Sequence, residues 1–375
     1  MLKQLRLQQV TVFKDANFDF GPGLNVLIGD NGTGKTQVLK LGYLFCRAWP
    51  DLMNKRSTLS EQRAEVYLDE RLAGLFRLKD PGDLIRHGHK NGARLSAEVE
   101  GHIPTLQIRT ASEPASRSPG LPEAMPWDIQ LKREKSGAGV RVVAQTLPVG
   151  AAANAFLPRP IYVPSKEIVS LFKGLVGLFE HYRGFPLDDT YRDLAVAMST
   201  LETQQQSPLF PEVAQRIRAV LGGDLKLEDG DLVFVREDGS QLQSQLMAEG
   251  HRKLALLIYM LRTGLVEIGS TLFWDEPEAN LNPAAIRLLA QALHAMANMG
   301  AQIIVATHSL FLLREFEILQ LASQRANVGV IRYFGLGATK AGVKVTQGND
   351  VTAIDPLVLL DENLNQSGRY NEVAT

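Results

Sequence analysis

The order of apolar and polar positions predicts strands and helices that alternate along the chain. Residues 2–10 alternate apolar and polar side chains, and 16–20 repeat the pattern after a short turn, so two strands are expected. Leu24–Ile28 is a continuous apolar run before a glycine-rich turn, which predicts a buried strand, and Lys35–Arg47 has helical periodicity. Such alternation is typical of an α/β fold.

The later part of the chain continues this pattern. Residues 166–222 are expected to be helical, interrupted by prolines and stopped at Gly222-Gly223, and a hairpin is expected around Asp229-Gly230. The further elements predicted are a helix at Gly250–Leu265, a strand at Thr271–Trp274, a helix at Pro283–Met299, a strand at Gln302–Ala306, a helix from about Ser309, and strands at 328–334 and 342–346.

Other segments are less regular. Residues 63–78 fit either short strands or a helix, and four prolines within 113–126 predict a surface loop. The last fifteen residues are polar and are expected to be frayed. Additional strands are predicted at 127–133, 140–146 and Arg159–Val163.

Composition narrows the class of protein. With 375 residues, 45% hydrophobic and 22% charged, the chain can bury a large core, which excludes a mostly disordered protein. A net charge of −1 excludes a strongly basic protein that coats nucleic acid. Apolar runs such as Leu254–Leu261 are far shorter than the roughly 20 residues of a membrane span, so no membrane association is expected.

The amino terminus and the cysteine content predict a cytoplasmic protein. The first ten residues hold no continuous apolar segment, so a secretory signal is not expected. Cys46 is the single cysteine, and its neighbours Leu44 and Phe45 favour a buried thiol over a nucleophile. A chain without disulfides fits a reducing compartment.

A phosphate-binding loop is the clearest local motif. Residues 29–36, GDNGTGKT, fit G-x-x-x-x-G-K-[ST] between a predicted strand and a predicted helix, and this context disfavours a chance glycine-rich turn. Lys35 is expected to neutralise the β- and γ-phosphates, and the Thr36 hydroxyl to ligate Mg²⁺. The nucleotide contacts expected here are Gly29, Asn31, Gly32, Thr33, Gly34, Lys35, Thr36 and Gln37.

Two further groups of polar residues follow apolar strands. Asp275 ends one strand and is placed to hold Mg²⁺, and Glu276 is placed to polarise the water that attacks the γ-phosphate. His308 follows the next strand, the position of a γ-phosphate sensor. The alternative for Asp275 and Glu276 is a solvated strand end, and the alternative for His308 is a structural histidine. A phosphate loop in the same chain disfavours both.

Together these segments resemble the ABC-type ATPase superfamily. GDNGTGKT matches its Walker A motif, LFWDEPEANLNP its Walker B motif and D-loop, and ATHS its switch histidine; the resemblance covers about residues 1–48 and 244–316. It implies an ABC-ATPase head with an antiparallel β-subdomain, a mixed sheet around the P-loop and an inserted helical signature subdomain. It also implies an ATPase that uses ATP and Mg²⁺, with Lys35, Glu276 and His308 as catalytic residues and Thr36 and Asp275 as metal ligands.

The signature motif of the superfamily, usually Leu-Ser-Gly-Gly-Gln, is altered in this chain. The matching stretch is Met247–His251, where Ala248 replaces the serine that donates to the γ-phosphate. The superfamily's head-to-tail dimer implies that Glu249 and Gly250 contact ATP held by a second copy, at a helix N-terminus that still favours anions. Because Ala248 weakens that contact, slow hydrolysis is expected.

Several motif positions leave alternatives open. Ser244 and His251 are candidates to compensate for the missing serine. Asn282 belongs either to the D-loop contact or to a helix cap, and the cap is favoured. Gln145 is a weak candidate for the Q-loop glutamine, and Lys14 lies where SMC-like heads carry a basic residue near the nucleotide, although a solvated turn lysine fits equally well.

Motif spacing selects a branch of the superfamily. Thr36 and Asp275 are 239 positions apart, more than in transporter subunits, and the chain lacks the long coiled coil of repair and SMC-type ATPases. It therefore resembles the compact heads of RecF and OLD-like, SMC-related AAA-type ATPases, many of them similar to bacterial anti-phage components. The domains expected are an N-terminal nucleotide-binding lobe at 1–165, a helical insertion at 166–252 and a C-terminal lobe at 253–375.

The resemblance implies a switch or sensor that dimerises on ATP and controls a separate effector, a nuclease or toxin, in anti-phage defence. The roughly sixty residues after the switch helix are too few for the nuclease domain of OLD-family proteins. The alternatives are an ATP-bound scaffold that restrains a toxic partner without turnover, and a RecF-like DNA-repair clamp. A transporter subunit is disfavoured by the spacing.

Two basic groups bear on nucleic-acid binding. Either group could contact phosphates, and solvated faces are the favoured alternative, so double-stranded DNA is a candidate partner only. The histidines among them are not convincing metal ligands because no cysteine accompanies them. The groups are Arg86, His87, His89, Lys90 and Arg94, and Lys132, Arg133 and Lys135.

Overall fold

A computed structural model describes most of the chain. The described residues are 1–53, 61–89, 92–99, 106–107, 127–133, 140–145, 158–182, 185–200, 211–324, 331–355 and 358–374. The proline-rich segment 113–126, for which a loop was predicted, lies outside them.

Strands and helices follow one another through the described residues. The strands are β1 Leu2–Val10, β2 Phe13–Asp19, β3 Leu24–Gly29, β4 Ala93–Val99, β5 Leu106–Gln107, β6 Trp127–Arg133, β7 Val140–Gln145, β8 Ile161–Val163, β9 Gly223–Glu228, β10 Asp231–Arg236, β11 Gln241–Gln243, β12 Thr271–Asp275, β13 Gln302–Thr307, β14 Arg332–Thr339 and β15 Gly342–Gly348. The α-helices are α1 Lys35–Met53, α2 Glu61–Phe76, α3 Leu175–His181, α4 Asp189–Thr200, α5 Pro211–Leu221, α6 Glu249–Thr263, α7 Pro283–Asn298, α8 Leu310–Gln324 and α9 Val358–Ala374.

A mixed sheet forms the centre of the structure, in the order β15-β14-β3-β13-β12-β8. Strands β8, β12, β13, β3 and β14 pair in parallel, and β15 is antiparallel. Parallel strands need crossover connections and cover on both faces, which explains why β3, β12 and β13 are buried along their whole length. The predicted strands near 24–28, 271–274 and 302–306 are confirmed.

Alternate residues of the central strands enter two different cores. Phe273 and Ile304 pack with α1 and the antiparallel sheet, whereas Trp274 and Val305 pack with α6 and α7. The carboxyl ends of the parallel strands therefore lie between two well-packed layers, which fixes the residues that follow them.

A second, antiparallel sheet has the order β2-β1-β4-β6-β7, with β5 paired to β4. The strands predicted at 2–10, 127–133 and 140–146 are confirmed. The strand predicted at 16–20 is also confirmed, as β2, which pairs with β1. Its inner face contributes Leu5, Leu7 and Phe18 to a core with α1 and α2. The segment 63–78, left open by the sequence, is helix α2.

A helical region with a small sheet precedes α6. Helices α3, α4 and α5 occupy much of 166–222, and Pro211 opens α5. The predicted hairpin around Asp229-Gly230 is the β9–β10 pair, extended by β11. Pro208, expected to interrupt this region, lies outside the described residues.

A buried polar cluster ties this helical region to α1. The Tyr43 hydroxyl donates to Asp193 at 2.8 Å, Arg47 approaches the same carboxylate at 3.5 Å, and Arg71 of α2 pairs with it. Lys40 of α1 pairs with Asp188 at 2.8 Å. The helix that follows the phosphate loop is thus attached to α4 through paired charges, which tolerate burial only when satisfied.

The remaining predictions have mixed outcomes. Cys46 is buried, and burial raises the pKa of its thiol to about 11, so the interpretation as an inert thiol is confirmed. The expectation of a frayed carboxyl terminus was wrong: α9 occupies 358–374. Polar composition does not prevent helix formation when residues such as Leu, Glu and Arg have good helical propensity. Among the described residues, no helix has the length and apolar character needed to cross a membrane.

Candidate nucleotide site

The loop between β3 and α1 has the backbone that phosphate binding requires. Gly32 and Gly34 have φ of +79° and +89°, values that favour glycine. A Cβ on Gly34 would also lie 2.7 Å from the ring of Phe13, and one on Gly29 would lie 2.5 Å from the carbonyl oxygen of Leu336. Glycine is therefore favoured by conformation at position 32, by packing at position 29 and by both at position 34.

The first residue of α1 directs its charge back over the loop. Lys35 Nζ donates to the carbonyl oxygens of Gly29 at 2.7 Å and Asp30 at 2.9 Å, and only 7% of the residue is exposed. Burial lowers the pKa of Lys35, and the nearby carboxylates of Glu276 and Asp275 oppose that shift. The ammonium is held inside the curve of the loop, where the β- and γ-phosphates of a nucleotide are expected.

Other loop residues have local roles. The Thr33 hydroxyl donates to the Asp30 carbonyl oxygen at 2.8 Å, which tightens the turn. Asn31 is exposed. The Gln37 side chain, expected at the nucleotide, accepts a hydrogen bond from the hydroxyl of Thr11 in the β1–β2 turn.

Two oxygen ligands meet beside the loop. The Thr36 hydroxyl donates to Asp275 Oδ2 at 2.7 Å, although 239 residues separate them. Asp275 ends β12 and is 6% exposed; burial raises its pKa to about 6, while the Thr36 hydrogen bond, Lys40 and Lys35 lower it. A hydroxyl and a buried carboxylate fit Mg²⁺, which prefers hard oxygen ligands and would neutralise phosphate charge.

The raised pKa of Asp275 predicts a pH-dependent metal effect. Mg²⁺ needs the ionised carboxylate, so we expect Mg²⁺·ATP to raise Tm more at pH 8 than at pH 5, below the pKa of about 6. Differential scanning fluorimetry with and without EDTA measures this. At a ligand concentration of about 100 Kd, stabilisation of about 2.7 kcal/mol is expected at the higher pH.

Asp275→Asn serves as the control for this pH effect. Its amide does not titrate, so the Mg²⁺-dependent part of the Tm shift should be small at both pH values. In the protein without metal, the effect of pH on stability has the opposite sign. The pKa of Asp275 is higher in the folded protein than its unfolded value of 3.8, so the protein loses stability as pH rises through about 6. Equal Mg²⁺ effects at pH 5 and pH 8 would argue against Asp275 as a ligand.

Glu276 and His308 leave the same edge of the central sheet. Asp275 pairs with Ala306 across the parallel strands β12 and β13, so the residues that follow them are neighbours. Glu276 Oε1 lies 3.2 Å from His308 Nδ1, with the two side chains 32% and 48% exposed. Glu276 is close enough to Lys35 to raise its pKa, and both Glu276 and His308 are open to solvent, which suits the roles predicted for them.

The backbone at Glu276 is held in an uncommon conformation. Its φ is +48°, which glycine and asparagine favour over glutamate. The Glu276 N–H donates to the Ala306 carbonyl oxygen at 2.9 Å, and Lys253 Nζ donates to the Glu276 carbonyl oxygen at 3.2 Å. These two bonds hold the backbone from which the carboxylate extends.

A second glutamate, Glu278, was not predicted from the sequence. It is 6% exposed, and its Oε1 accepts from the Thr307 hydroxyl at 2.6 Å, while the same hydroxyl accepts from Ser309 N–H. Burial raises the pKa of Glu278. The hydrogen bond between Glu278 and Thr307 fixes the turn that carries His308. The available signal was the repeated acid in Asp275-Glu276-Pro277-Glu278.

Lys253 was also missed, because it is a lysine on an apolar face of α6. It is 2% exposed, and burial lowers its pKa, opposed by the carboxylates of Glu278, Glu249 and Glu276. Lys253 connects α6 to the turn that follows β12. Because it contacts the backbone of Glu276, we expect it to position that residue and to take no direct part in the reaction.

Replacing Lys253 tests that positioning role. Lys253→Met keeps the apolar stem but leaves the Glu276 carbonyl without its donor, so we expect kcat to fall about tenfold, with KM for ATP nearly unchanged. Lys253→Arg should recover part of the loss because it restores a donor. Steady-state ATP hydrolysis separates kcat from KM. A variant that loses only stability, with kcat intact in the folded fraction, would contradict the positioning role.

The signature residues pack on the D-loop of the same chain. Ala248 is the N-cap of α6 and makes no side-chain cap bond. Glu249 accepts from Asn280 Nδ2 at 2.7 Å, and a Cβ on Gly250 would lie 2.7 Å from the Asn280 carbonyl oxygen. Asn282 accepts from Ala285 N–H at 2.9 Å, so its interpretation as a helix cap is confirmed.

Other candidates have different places in the structure. Ser244 is buried and its hydroxyl is directed at the Val169 carbonyl oxygen, so it is not available to compensate for Ala248, whereas His251 is exposed. Gln145 pairs with Asp128 at the end of β7, in the antiparallel sheet.

Arg86, a candidate phosphate contact, has a structural role, and Lys14, a candidate basic residue near the nucleotide, is a solvated lysine. Arg86 donates to the carbonyl oxygens of Val12 and Ala341, both at 3.0 Å, which is a structural role. Phe13 packs on Gly34, whereas Lys14 is exposed and lines a surface groove with Gln8 and Asp15. Lys90 and Lys135 lie outside the described residues.

Comparisons with known proteins bear on the fold and on two segments of the chain. Residues 190–314 match a family model described as "AAA domain, putative AbiEii toxin, Type IV TA system", and residues 4–41 match one described as "AAA domain". No curated protein matches the chain. An SMC head bound to the C-winged helix domain of ScpA is 14% identical with a TM-score of 0.52, over 92% of this chain and 97% of that one.

A second solved structure gives the same fold. The Smc head domain with an extended coiled coil, bound to the C-terminal domain of ScpA and derived from Pyrococcus furiosus, is 12% identical with a TM-score of 0.51, over 97% of this chain and 99% of that one. The chain has the fold of an SMC-type ABC-ATPase head, as predicted. The family matches and the fold together support an ABC- or AAA-type ATPase.

Proposed function

We propose that this chain is an ATP-driven switch that binds Mg²⁺·ATP, pairs head-to-tail with a second copy and hydrolyses ATP to reset. The observation that carries the proposal is the meeting of Lys35, the Thr36–Asp275 pair and the Glu276–His308 pair beside one loop. These residues come from three strand ends, and their combination matches the needs of phosphoryl transfer to water.

The chemistry assigned to each group is simple. Lys35 neutralises charge on the β- and γ-phosphates, and Mg²⁺ held by Thr36 and Asp275 would polarise the γ-phosphate. Glu276 accepts a proton from the attacking water as the new oxygen–phosphorus bond forms and ADP leaves. His308, paired with Glu276 at 3.2 Å, is placed to contact the γ-phosphate.

The position of the signature motif supports a dimer. Glu249 and Gly250 pack against Asn280 of their own chain, and Ala248 at the start of α6 is exposed. A helix N-terminus with exposed N–H groups attracts phosphate. These features suit a contact with ATP bound to a second copy.

We further propose a separate effector as the target of the switch. The family model that matches 190–314 carries a description that names a toxin and a toxin–antitoxin system, which is said of that family. An ATP-dependent dimer that exposes or covers an effector surface would link this fold to defence against phage. The effector is then a protein other than this chain.

Substitutions of Ala248 test the proposed contact across the dimer. Ala248→Ser supplies the hydroxyl missing from the signature and a helix cap, so we expect ATP-dependent dimerisation to tighten and turnover to rise several-fold. Ala248→Asp caps α6 equally well but brings a negative charge to the γ-phosphate, so dimerisation should be lost. Analytical ultracentrifugation with ATP measures both. Identical behaviour of the two variants would contradict a trans contact.

Mixing two inactive variants gives the decisive experiment. In a head-to-tail dimer of Lys35→Ala with Ala248→Asp, one of the two sites keeps an intact loop and an intact signature. An equal mixture should therefore recover turnover that neither variant has alone, up to about half of the wild-type value, since each mixed dimer has one working site of two. A mixture as inactive as its components would reject the shared site.

A further inference from the structure

A buried hydroxyl near the candidate metal ligands lacks a hydrogen-bond partner. Tyr162 of β8 is 2% exposed, and its hydroxyl makes no hydrogen bond with any of the described residues. Tyrosine hydroxyls usually find a partner when they are buried, because an unsatisfied one has lost its hydrogen bonds with water. The described part of the chain does not supply that partner, so a water molecule or a ligand is expected at this place.

Strand pairing places Tyr162 on the same face of the central sheet as Asp275. Tyr162 lies opposite Phe273 across the parallel strands β8 and β12, and both side chains enter the core that contains α1. Asp275, two residues after Phe273, is on that face too, and Thr36 of α1 donates to it there. An edge-to-face contact with Tyr43, at 5.5 Å between ring centroids, holds the Tyr162 ring in place.

Two carboxylates lie near this hydroxyl, and they differ in what they already accept. Burial raises the pKa of Tyr162, and the charges of Asp275 and Asp188 raise it further. Asp188 accepts at both of its oxygens, from a backbone N–H at 2.9 Å and from Lys40 Nζ at 2.8 Å. The Thr36 hydroxyl uses Oδ2 of Asp275, so Oδ1 of Asp275 is the oxygen best placed for a further donor.

We propose that Tyr162 is a positioning residue of the magnesium site, with its hydroxyl joined through a water molecule to Oδ1 of Asp275. Water bridges polar groups that are too far apart for a direct hydrogen bond, and buried water is found where such groups would otherwise be unsatisfied. Hydrogen bonds to a metal-ligating carboxylate orient it and strengthen metal binding. This inference rests on the proposed function, which requires Mg²⁺ at Asp275.

The alternative is an unsatisfied hydroxyl that the core tolerates, and Tyr333 of β14 provides the comparison. Tyr333 is fully buried, and its hydroxyl also lacks a hydrogen-bond partner among the described residues. Its side chain belongs to the core on the other face of the central sheet, so the sheet itself separates it from Asp275. Tyr162→Phe and Tyr333→Phe therefore make the same chemical change, on the metal side of the sheet and on the opposite side.

Metal binding is tested through the affinity for a fluorescent, non-hydrolysable ATP analogue. Full-length wild type, Tyr162→Phe and Tyr333→Phe are titrated once with excess Mg²⁺ and once in EDTA. With Mg²⁺, Tyr162→Phe should bind the analogue about tenfold more weakly than wild type, the size expected when a supporting hydrogen bond to a metal ligand is lost. In EDTA all three proteins should bind it equally, and Tyr333→Phe should match wild type under both conditions.

A second measurement asks whether Tyr162 acts through Asp275. Urea unfolding in EDTA gives the free energies of unfolding of wild type, Tyr162→Phe, Asp275→Ala and the double variant. A water shared by the two side chains predicts that the effects of the single changes do not add, because either change alone removes the bridge. Additive effects would overturn the bridge between Tyr162 and Asp275.

The outcomes separate this inference from the proposed function. If Mg²⁺ strengthens binding of the analogue equally in wild type and in Tyr162→Phe, the inference fails and the proposed function stands. A loss that Tyr162→Phe also shows in EDTA would point to a disturbed fold and would equally overturn the positioning role. Wild type that binds the analogue no better with Mg²⁺ than in EDTA would instead contradict the proposed function itself.

Discussion

Glu276→Gln is expected to lower ATP turnover by about 10²- to 10⁴-fold, the contribution typical of a positioned general base. The amide has the shape of the carboxylate but accepts no proton from water. Binding does not need that proton, so the variant should still bind Mg²⁺·ATP and accumulate as a dimer. Phosphate release and ultracentrifugation on the same sample measure both effects.

A matched substitution separates this effect from a general loss of charge. Glu267→Gln makes the same change just before the first residue of β12. The Glu267 side chain is partly buried and lies at the end of the strand away from the phosphate loop. It should hydrolyse ATP as wild type does. Wild-type turnover in Glu276→Gln, or a monomer at saturating ATP, would show that the catalytic assignment is wrong.

Lys35→Ala is expected to remove measurable turnover and to weaken ATP binding about 10- to 100-fold. A hydrogen bond to a charged group contributes about 1.5–3 kcal/mol, and Lys35 is the ammonium held inside the loop. Binding of a fluorescent ATP analogue and phosphate release measure the two quantities.

Arg47→Ala is the control on the same helix. Arg47 Nε pairs with Asp51 at 3.0 Å, and Arg47 is further along α1 from the loop than Lys35. This variant should bind ATP as wild type does but unfold at a lower temperature, because it leaves a partly buried carboxylate without its cation. Equal losses of ATP affinity in the two variants would indicate that α1 is disturbed and that Lys35 has no specific role.

The sequence alone predicted the features that depend on residues close to one another along the chain. The run Leu24–Ile28, the glycines after it and Lys35 specify strand, loop and helix within a few residues, because backbone conformation there depends on side chains close in sequence. Asp275 and His308 were found in the same way, at the ends of apolar strands. Asn282 was identified as a cap because capping is local.

The tertiary structure alone decided which distant groups meet. Glu278 and Lys253 were invisible as site residues, since only packing brings an acid after β12 and a lysine of α6 to the backbone around Glu276 and His308. Burial removed Ser244 from the candidates. The packing of Phe13 on Gly34 left its neighbour Lys14 exposed, because the face that a side chain takes in a sheet depends on how the strands pair.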